Sequence, residues 1–166
     1  KGVALDPNHP VININLSMNT LSTGDLASAE KYATKTMNLN PNFFDSWVFL
    51  YMVYTQEGDR EEKISALIKE VEAIPNKDSA IYSILLHYFK NRNPERYNEY
   101  SKLADEYAKT VNSTALQDRL IAKIGFDEFM KLAEEAFENN TLPFNFETLL
   151  FIWDHRDTPK YKAFVE

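Results

Sequence analysis

Apolar residues recur every three or four positions along most of this chain, which is the spacing of amphipathic helices. Between residues 43 and 56, for example, the stripe contains Phe43, Trp47, Leu50 and Tyr54. Turn-forming residues interrupt these stripes at short intervals. Together they predict helices near 9–22, 26–39, 43–56, 60–73, 78–91 and 95–110.

The turn residues themselves repeat with a fixed period. Pro7, Pro41 and Pro75 are each followed by Asn and lie 34 residues apart, and the pairs Gly24-Asp25 and Gly58-Asp59 share that spacing. Proline ends a helix because it lacks the backbone N–H, glycine closes one in the left-handed conformation, and aspartate caps the next. Each unit is therefore predicted as helix, Gly-Asp turn, helix and Pro-Asn turn.

This pattern resembles the tetratricopeptide repeat, a helix pair with the same period. The matching residues of the first unit are Leu16, Ser17, Ala29 and Pro41, and those of the second are Trp47, Leu50, Tyr54 and Pro75. The departures are Asn13 and Thr20 in the first unit and Tyr51, Lys63 and Glu70 in the second. The resemblance implies an all-α fold, a right-handed superhelix of antiparallel helix pairs with a C-terminal helical cap.

We expect a single domain divided into successive repeats and a cap. The predicted boundaries are about 9–42, 43–76, 77–111 and 112–143 for the repeats, and 144–166 for the cap. The opening residues are typical of the end of a helix, so we expect the chain to be a fragment of a longer protein. The closing segment is similar to the repeat regions of bacterial regulators that carry a winged-helix domain or a nucleotide cyclase, which implies transcriptional regulation.

Composition and motifs argue against several classes of function. There is no cysteine, and the net charge of −7 is spread over both halves without a basic block, so we expect neither thiolate chemistry nor direct nucleic-acid binding. The three histidines lie far apart, and acidic pairs such as Glu61-Glu62 are neighbours on one helix. We therefore expect no metal, no cofactor and no enzymatic activity.

No apolar run is long enough for a membrane span, so the expected location is cytoplasmic, or periplasmic if a membrane span precedes Lys1.

The concave groove that stacked helix pairs form is the predicted binding site. Its candidate residues, on the first helix of each pair, are Asn15, Met18, Asn19, Phe49, Met52, Gln56, Tyr82, Leu86 and Phe89. Aromatic and methionine side chains adapt well to partners, and amides can bond a ligand backbone. The alternative interpretation of each apolar member is that it packs on the next helix.

These considerations predict an interaction domain that binds a protein or peptide, with a homodimer left open. The alternative hypothesis is a sensor domain that takes a small molecule between helices and controls an upstream effector. A closed apolar pocket with a few polar groups would favour the sensor, and an open, shallow groove would favour the interaction domain.

Overall fold

The structure, a computed structural model, describes residues 6–56, 60–110, 157–159 and 162. Six helices and no strand occur between residues 6 and 110 of that part. They are α1 (Pro10–Ser22), α2 (Leu26–Leu39), α3 (Asp45–Gln56), α4 (Glu61–Ala73), α5 (Ser79–Phe89) and α6 (Pro94–Thr110). The all-α prediction is confirmed, and every predicted helix end agrees with the observed end to within about two residues.

Several predicted features lie outside the described residues. These are the Gly58-Asp59 turn, the fourth repeat at 112–143 and most of the cap at 144–166. Near the end of the chain, the Lys162 N–H donates to the Thr158 carbonyl at 3.1 Å, and Pro159 is helical. That bond spans one helical turn, as expected of a helical cap at 144–166.

Short polar side chains begin several of the helices. Asp25, Asp78 and Asn93 each accept the backbone N–H three residues ahead, at 3.1 Å in all three cases. Each bond satisfies one of the N–H groups that the first helical turn leaves unpaired. The capping role predicted for Asp25 is thereby confirmed. Gly24 precedes it with φ +80°, the left-handed conformation that glycine adopts most readily.

Contacts divide the chain into two compact units, Lys1–Leu85 and Leu86–Glu166. In the first unit, α1 packs mainly on α2 and α2 on α3, with smaller contacts of α3 with α1 and α4. Each of the first three helices therefore contacts the next one along the chain. The right-handed superhelix stays a prediction.

In the second unit, an aromatic contact joins the end of α5 to α6. The rings of Phe89 and Tyr100 are stacked with centroids 5.7 Å apart. The Arg96 guanidinium lies 4.6 Å from the Phe89 centroid and donates to the Tyr100 hydroxyl at 3.0 Å. Stacking and cation–π attraction both add to the area that these rings bury.

Small buried residues bring α1 and α2 close together. Ser17, Ala29 and Ala33 are fully buried, and the Ser17 hydroxyl donates to the Ala29 carbonyl at 2.9 Å. Lys35 also donates to the Pro7 carbonyl, so the start of α1 lies beside the end of α2 and the two helices run antiparallel. The backbones can approach this closely because neither contact position carries a large side chain.

Asn13 explains one departure from the tetratricopeptide pattern. Its side-chain N–H donates to the Pro7 carbonyl at 3.0 Å. The Trp47 indole N–H, 34 residues later, donates to the Pro41 carbonyl at 3.0 Å. The same hydrogen bond therefore closes the start of both repeats, with an amide in one and an indole in the other. This shared bond supports the equivalence of the two units.

Replacing Ala29 with Leu tests the close packing of α1 on α2. We expect Ala29→Leu to lower the free energy of unfolding by about 1–3 kcal/mol, because the extra volume has no room between the helices. Ala27→Leu introduces the same side chain at an exposed position of the same helix. It should change the free energy of unfolding by less than about 0.5 kcal/mol. Urea denaturation measures both, and equal effects would contradict the packing.

Candidate binding surface

Three of the predicted groove residues belong to the core. Phe49, Met52 and Phe89 are only 4%, 2% and 6% exposed. Phe49 and Met52 were predicted to line the groove, but every residue of α3 from Ser46 to Val53 is buried. A helix that is apolar on all sides is surrounded by other elements. These side chains hold the fold together and offer no surface to a partner.

Gln56, Tyr82 and Leu86 have intermediate exposure. The Gln56 side-chain oxygen is buried and has no hydrogen-bond partner in the part of the chain that the structure describes. Tyr82 belongs to the first compact unit and Leu86 to the second. Tyr82 and Leu86 nevertheless lie one turn apart on α5 and share one face of that helix.

Asn15, Met18 and Asn19 are exposed, as a binding role requires. They share one face of α1 with Val11, which the sequence analysis missed. Val11 is 46% exposed and Met18 45%, and both are among the large apolar side chains that the first unit leaves in solvent. The signal in the sequence was spacing, because Val11 precedes Asn15 by four residues and Met18 by seven.

Helix α1 contains no charged residue, although 26% of the chain is charged. Its exposed side chains are Val11, Asn15, Met18, Asn19 and Ser22. An exposed helical face normally carries charges that keep it solvated. The buried centres of protein interfaces, in contrast, are depleted of charge and enriched in residues such as Met. We call these five residues the α1 face.

Residues of the α1 face differ in exposure from the equivalent residues of the next repeat. Asn15, Met18 and Asn19 are equivalent, 34 residues on, to Phe49, Met52 and Val53. All three equivalents are buried. The first repeat therefore exposes positions that the second repeat uses for packing. Two of the three are amides, which can remain in water and can also bond a partner.

A cluster of polar side chains surrounds the Glu30 carboxylate of α2. This carboxylate accepts hydrogen bonds from Arg60 at 2.6 Å, from Lys63 at 2.7 Å and from the Tyr54 hydroxyl at 3.2 Å. Burial raises the pKa of Glu30, but the hydrogen bonds and charges of Lys63 and Arg60 outweigh it and lower that pKa below 4.5. Burial and the Glu30 charge raise the pKa of Tyr54 to about 12.

This cluster, Glu30 with Tyr54, Arg60 and Lys63, ties α2 to the segment that begins α4. Lys63 and Arg60 also lie over the Tyr54 ring, at 5.0 and 5.7 Å from its centroid. The carboxylate is already engaged by three donors and is held in its ionised form. Such an arrangement suits a structural clamp better than a general acid or base, which must exchange a proton near neutral pH.

Two further carboxyls have perturbed pKa values. Burial raises the pKa of Asp78, and burial together with the nearby Asp78 charge raises the pKa of Asp45. Within the described residues, no group of three or more His, Asp or Glu side chains is arranged to hold a metal ion. The pair alone therefore provides no metal centre.

No family model, curated protein or solved structure matches the chain. In the described part, none of the helices combines the length and hydropathy that a bilayer crossing requires. The tetratricopeptide resemblance therefore stays a prediction, supported by the period and by the helices between residues 10 and 110.

Replacing Glu30 with Gln tests the cluster. At about pH 7 we expect Glu30→Gln to lower the free energy of unfolding by about 0.5–1 kcal/mol, a modest loss because Lys63 is half-exposed and water screens its charge. The folded-state pKa of Glu30 is depressed, so the contribution is complete above its unfolded value of 4.5 and disappears as the pH falls through the folded value.

The measurement is urea unfolding of both proteins at about pH 7 and at about pH 3. The difference in the free energy of unfolding between wild type and Glu30→Gln should be smaller at the lower pH. Glu62→Gln removes a charge from an exposed position of α4 and serves as the control. A difference that stays constant with pH would contradict the ionic origin of the effect.

Proposed function

We propose that this chain is a protein-binding helical module whose α1 face docks an amphipathic helix of a partner protein. One observation carries the proposal: α1 exposes an uncharged face with two large apolar side chains on a chain that is otherwise rich in charge. Large apolar side chains that remain in water favour association, because covering them removes apolar surface from water.

The chemistry of the face matches this kind of partner. Val11 and Met18 are separated by two helical turns on the same side, so they can meet apolar residues at the same spacing on another helix. The flexible Met18 side chain can adapt to the shape of the partner. Asn15 and Asn19 lie between and beside them and can both donate and accept hydrogen bonds at the edge of the contact.

The rest of the first unit is also built by packing one helix against another. Helices α1, α2 and α3 pack in succession through apolar faces. The second repeat buries the equivalents of three residues of the α1 face, Asn15, Met18 and Asn19. A docked helix would cover the α1 face as the fold covers its equivalents, which is why we favour a helix over an extended peptide.

The depressions at α2 and α4 that the structure describes are shallow and open. A small-molecule site normally encloses most of its ligand. Neither of these two depressions has the enclosed form that the small-molecule sensor would need. The regulatory setting that the closing segment implies stays a prediction.

A double substitution on the α1 face tests the proposal. Amphipathic helical peptides would be selected from a displayed library against the full chain, and their affinities measured by isothermal titration calorimetry. We expect Val11→Gln with Met18→Gln to weaken binding by about tenfold or more, since each lost apolar contact contributes on the order of 1 kcal/mol. Both positions are exposed, so helical content should not change.

Leu103→Gln is the matched control, because Leu103 is another exposed apolar residue, on α6. It should leave the affinities unchanged. Selected peptides that bind the double variant as tightly as wild type would refute the proposed face. Sedimentation velocity separates another outcome. If the wild type dimerises and the double variant does not, a second copy of the chain occupies the face instead of a partner protein.

A further inference from the structure

We infer that a basic depression on α2 binds an acidic segment of a partner protein that also carries an apolar side chain. The depression has a volume of about 590 Å³. Its cationic residues are Lys31, Lys35 and Arg60, its one carboxylate is Glu30, and its apolar residues include Ala27 and Leu39. It lies on a different helix from the α1 face, so this inference does not depend on the proposed function.

The positive charge of the depression is not neutralised internally. Arg60 is paired with Glu30, at 2.6 Å. Lys35 donates to the Pro7 carbonyl, a neutral acceptor that leaves its charge uncompensated. Lys31 is exposed and has no hydrogen bond or ion pair to any residue that the structure describes. Two lysines, one helical turn apart, therefore remain to attract anionic groups.

Apolar surface lies beside these lysines. Leu39, at the end of α2, is about half-exposed, and Ala27, at its start, is exposed. A simple anion would use the lysines but leave this surface uncovered. An acidic peptide with one apolar side chain would use both, because its carboxylates can reach the lysines while the apolar side chain covers Leu39.

The equivalent place in the next repeat has the opposite charge. A depression of about 600 Å³ on α4 is lined by Glu61, Glu62 and Glu70, with Lys69 as its cation. Thirty-four residues separate Lys35 from Lys69, Lys31 from Ser65 and Ala27 from Glu61. The fold therefore does not require a positive depression at α2. Its positive sign comes from Lys31 and Lys35, whereas the α4 depression has Lys69 alone among three glutamates.

The rest of the chain strengthens this selectivity. The net charge of −7 makes the molecule as a whole repel an acidic partner. An acidic segment would therefore be attracted at α2 and repelled at α4. Such opposition of charges directs a ligand to one orientation even where each charge contributes little to affinity.

The test uses a fluorescein-labelled peptide in which glutamates flank a leucine, and a matched peptide with glutamines in their place. Fluorescence anisotropy would measure the affinity of the full chain for each. We expect the glutamate peptide to bind, and to bind more weakly as salt is added, because screening reduces attraction between exposed charges. The glutamine peptide should bind at least about tenfold more weakly.

Lys31→Glu is the main variant, and Lys69→Glu is its control. Both reverse one lysine charge on the second helix of a repeat, and Lys69 is the counterpart of Lys35. We expect Lys31→Glu to weaken binding of the glutamate peptide by about tenfold, and Lys69→Glu by less than about twofold. Leu39→Gln should also weaken binding of the glutamate peptide, because the leucine of the peptide covers this residue. Circular dichroism would verify that all variants remain folded.

Two outcomes would overturn the inference. Equal losses in Lys31→Glu and Lys69→Glu would mean that the peptide responds only to net charge. Equal binding of the glutamate and glutamine peptides would mean that the lysines do not recognise carboxylates. The Val11→Gln, Met18→Gln double variant should bind the glutamate peptide normally, so failure of the α1 face and failure of this depression can be told apart.

Discussion

The contact between Ser17 on α1 and Ala29 on α2 determines how closely these two helices approach and which side of α1 faces inwards. Two backbones can approach this closely only where both helices carry small residues, and the buried hydroxyl needs the Ala29 carbonyl as its partner. This contact sets the rotation of α1 about its own axis. Asn13 and Ser17 consequently face inwards, and Val11, Asn15 and Met18 face outwards. The exposed surface of α1 is thus a result of how its opposite side packs.

The period of the sequence predicted the helices well because prolines, glycines and aspartates act locally. Burial was harder to predict. Phe49 and Met52 were predicted to line a groove, although α3 has no charged residue after Asp45. The unbroken run of apolar residues from Trp47 to Tyr54, visible in the sequence, indicated a helix buried on all sides. The hydrogen bond of Asn13 could not be predicted, since it depends on where the Pro7 carbonyl lies in three dimensions.

Repeats allow one molecule to serve as its own comparison. Equivalent positions of successive units have similar backbone settings, so a chemical difference between them does not follow from the fold. Asn15, Met18 and Asn19 of the α1 face differ in this way from their buried equivalents on α3, and so do the basic and acidic depressions on α2 and α4. Surfaces identified by such internal differences are better candidates for binding than surfaces identified by exposure alone, because scattered exposed apolar residues are normal.

The carbonyl oxygen of Pro7 accepts both the Asn13 amide and the Lys35 ammonium. A pair of helices joined by one short turn usually frays from the end opposite that turn. Here that end is fastened by two donors from different helices to a single acceptor. Amide protons near the beginning of α1 should therefore exchange with solvent only when α1 and α2 separate as a unit, and the hairpin should behave as one cooperative element in hydrogen exchange.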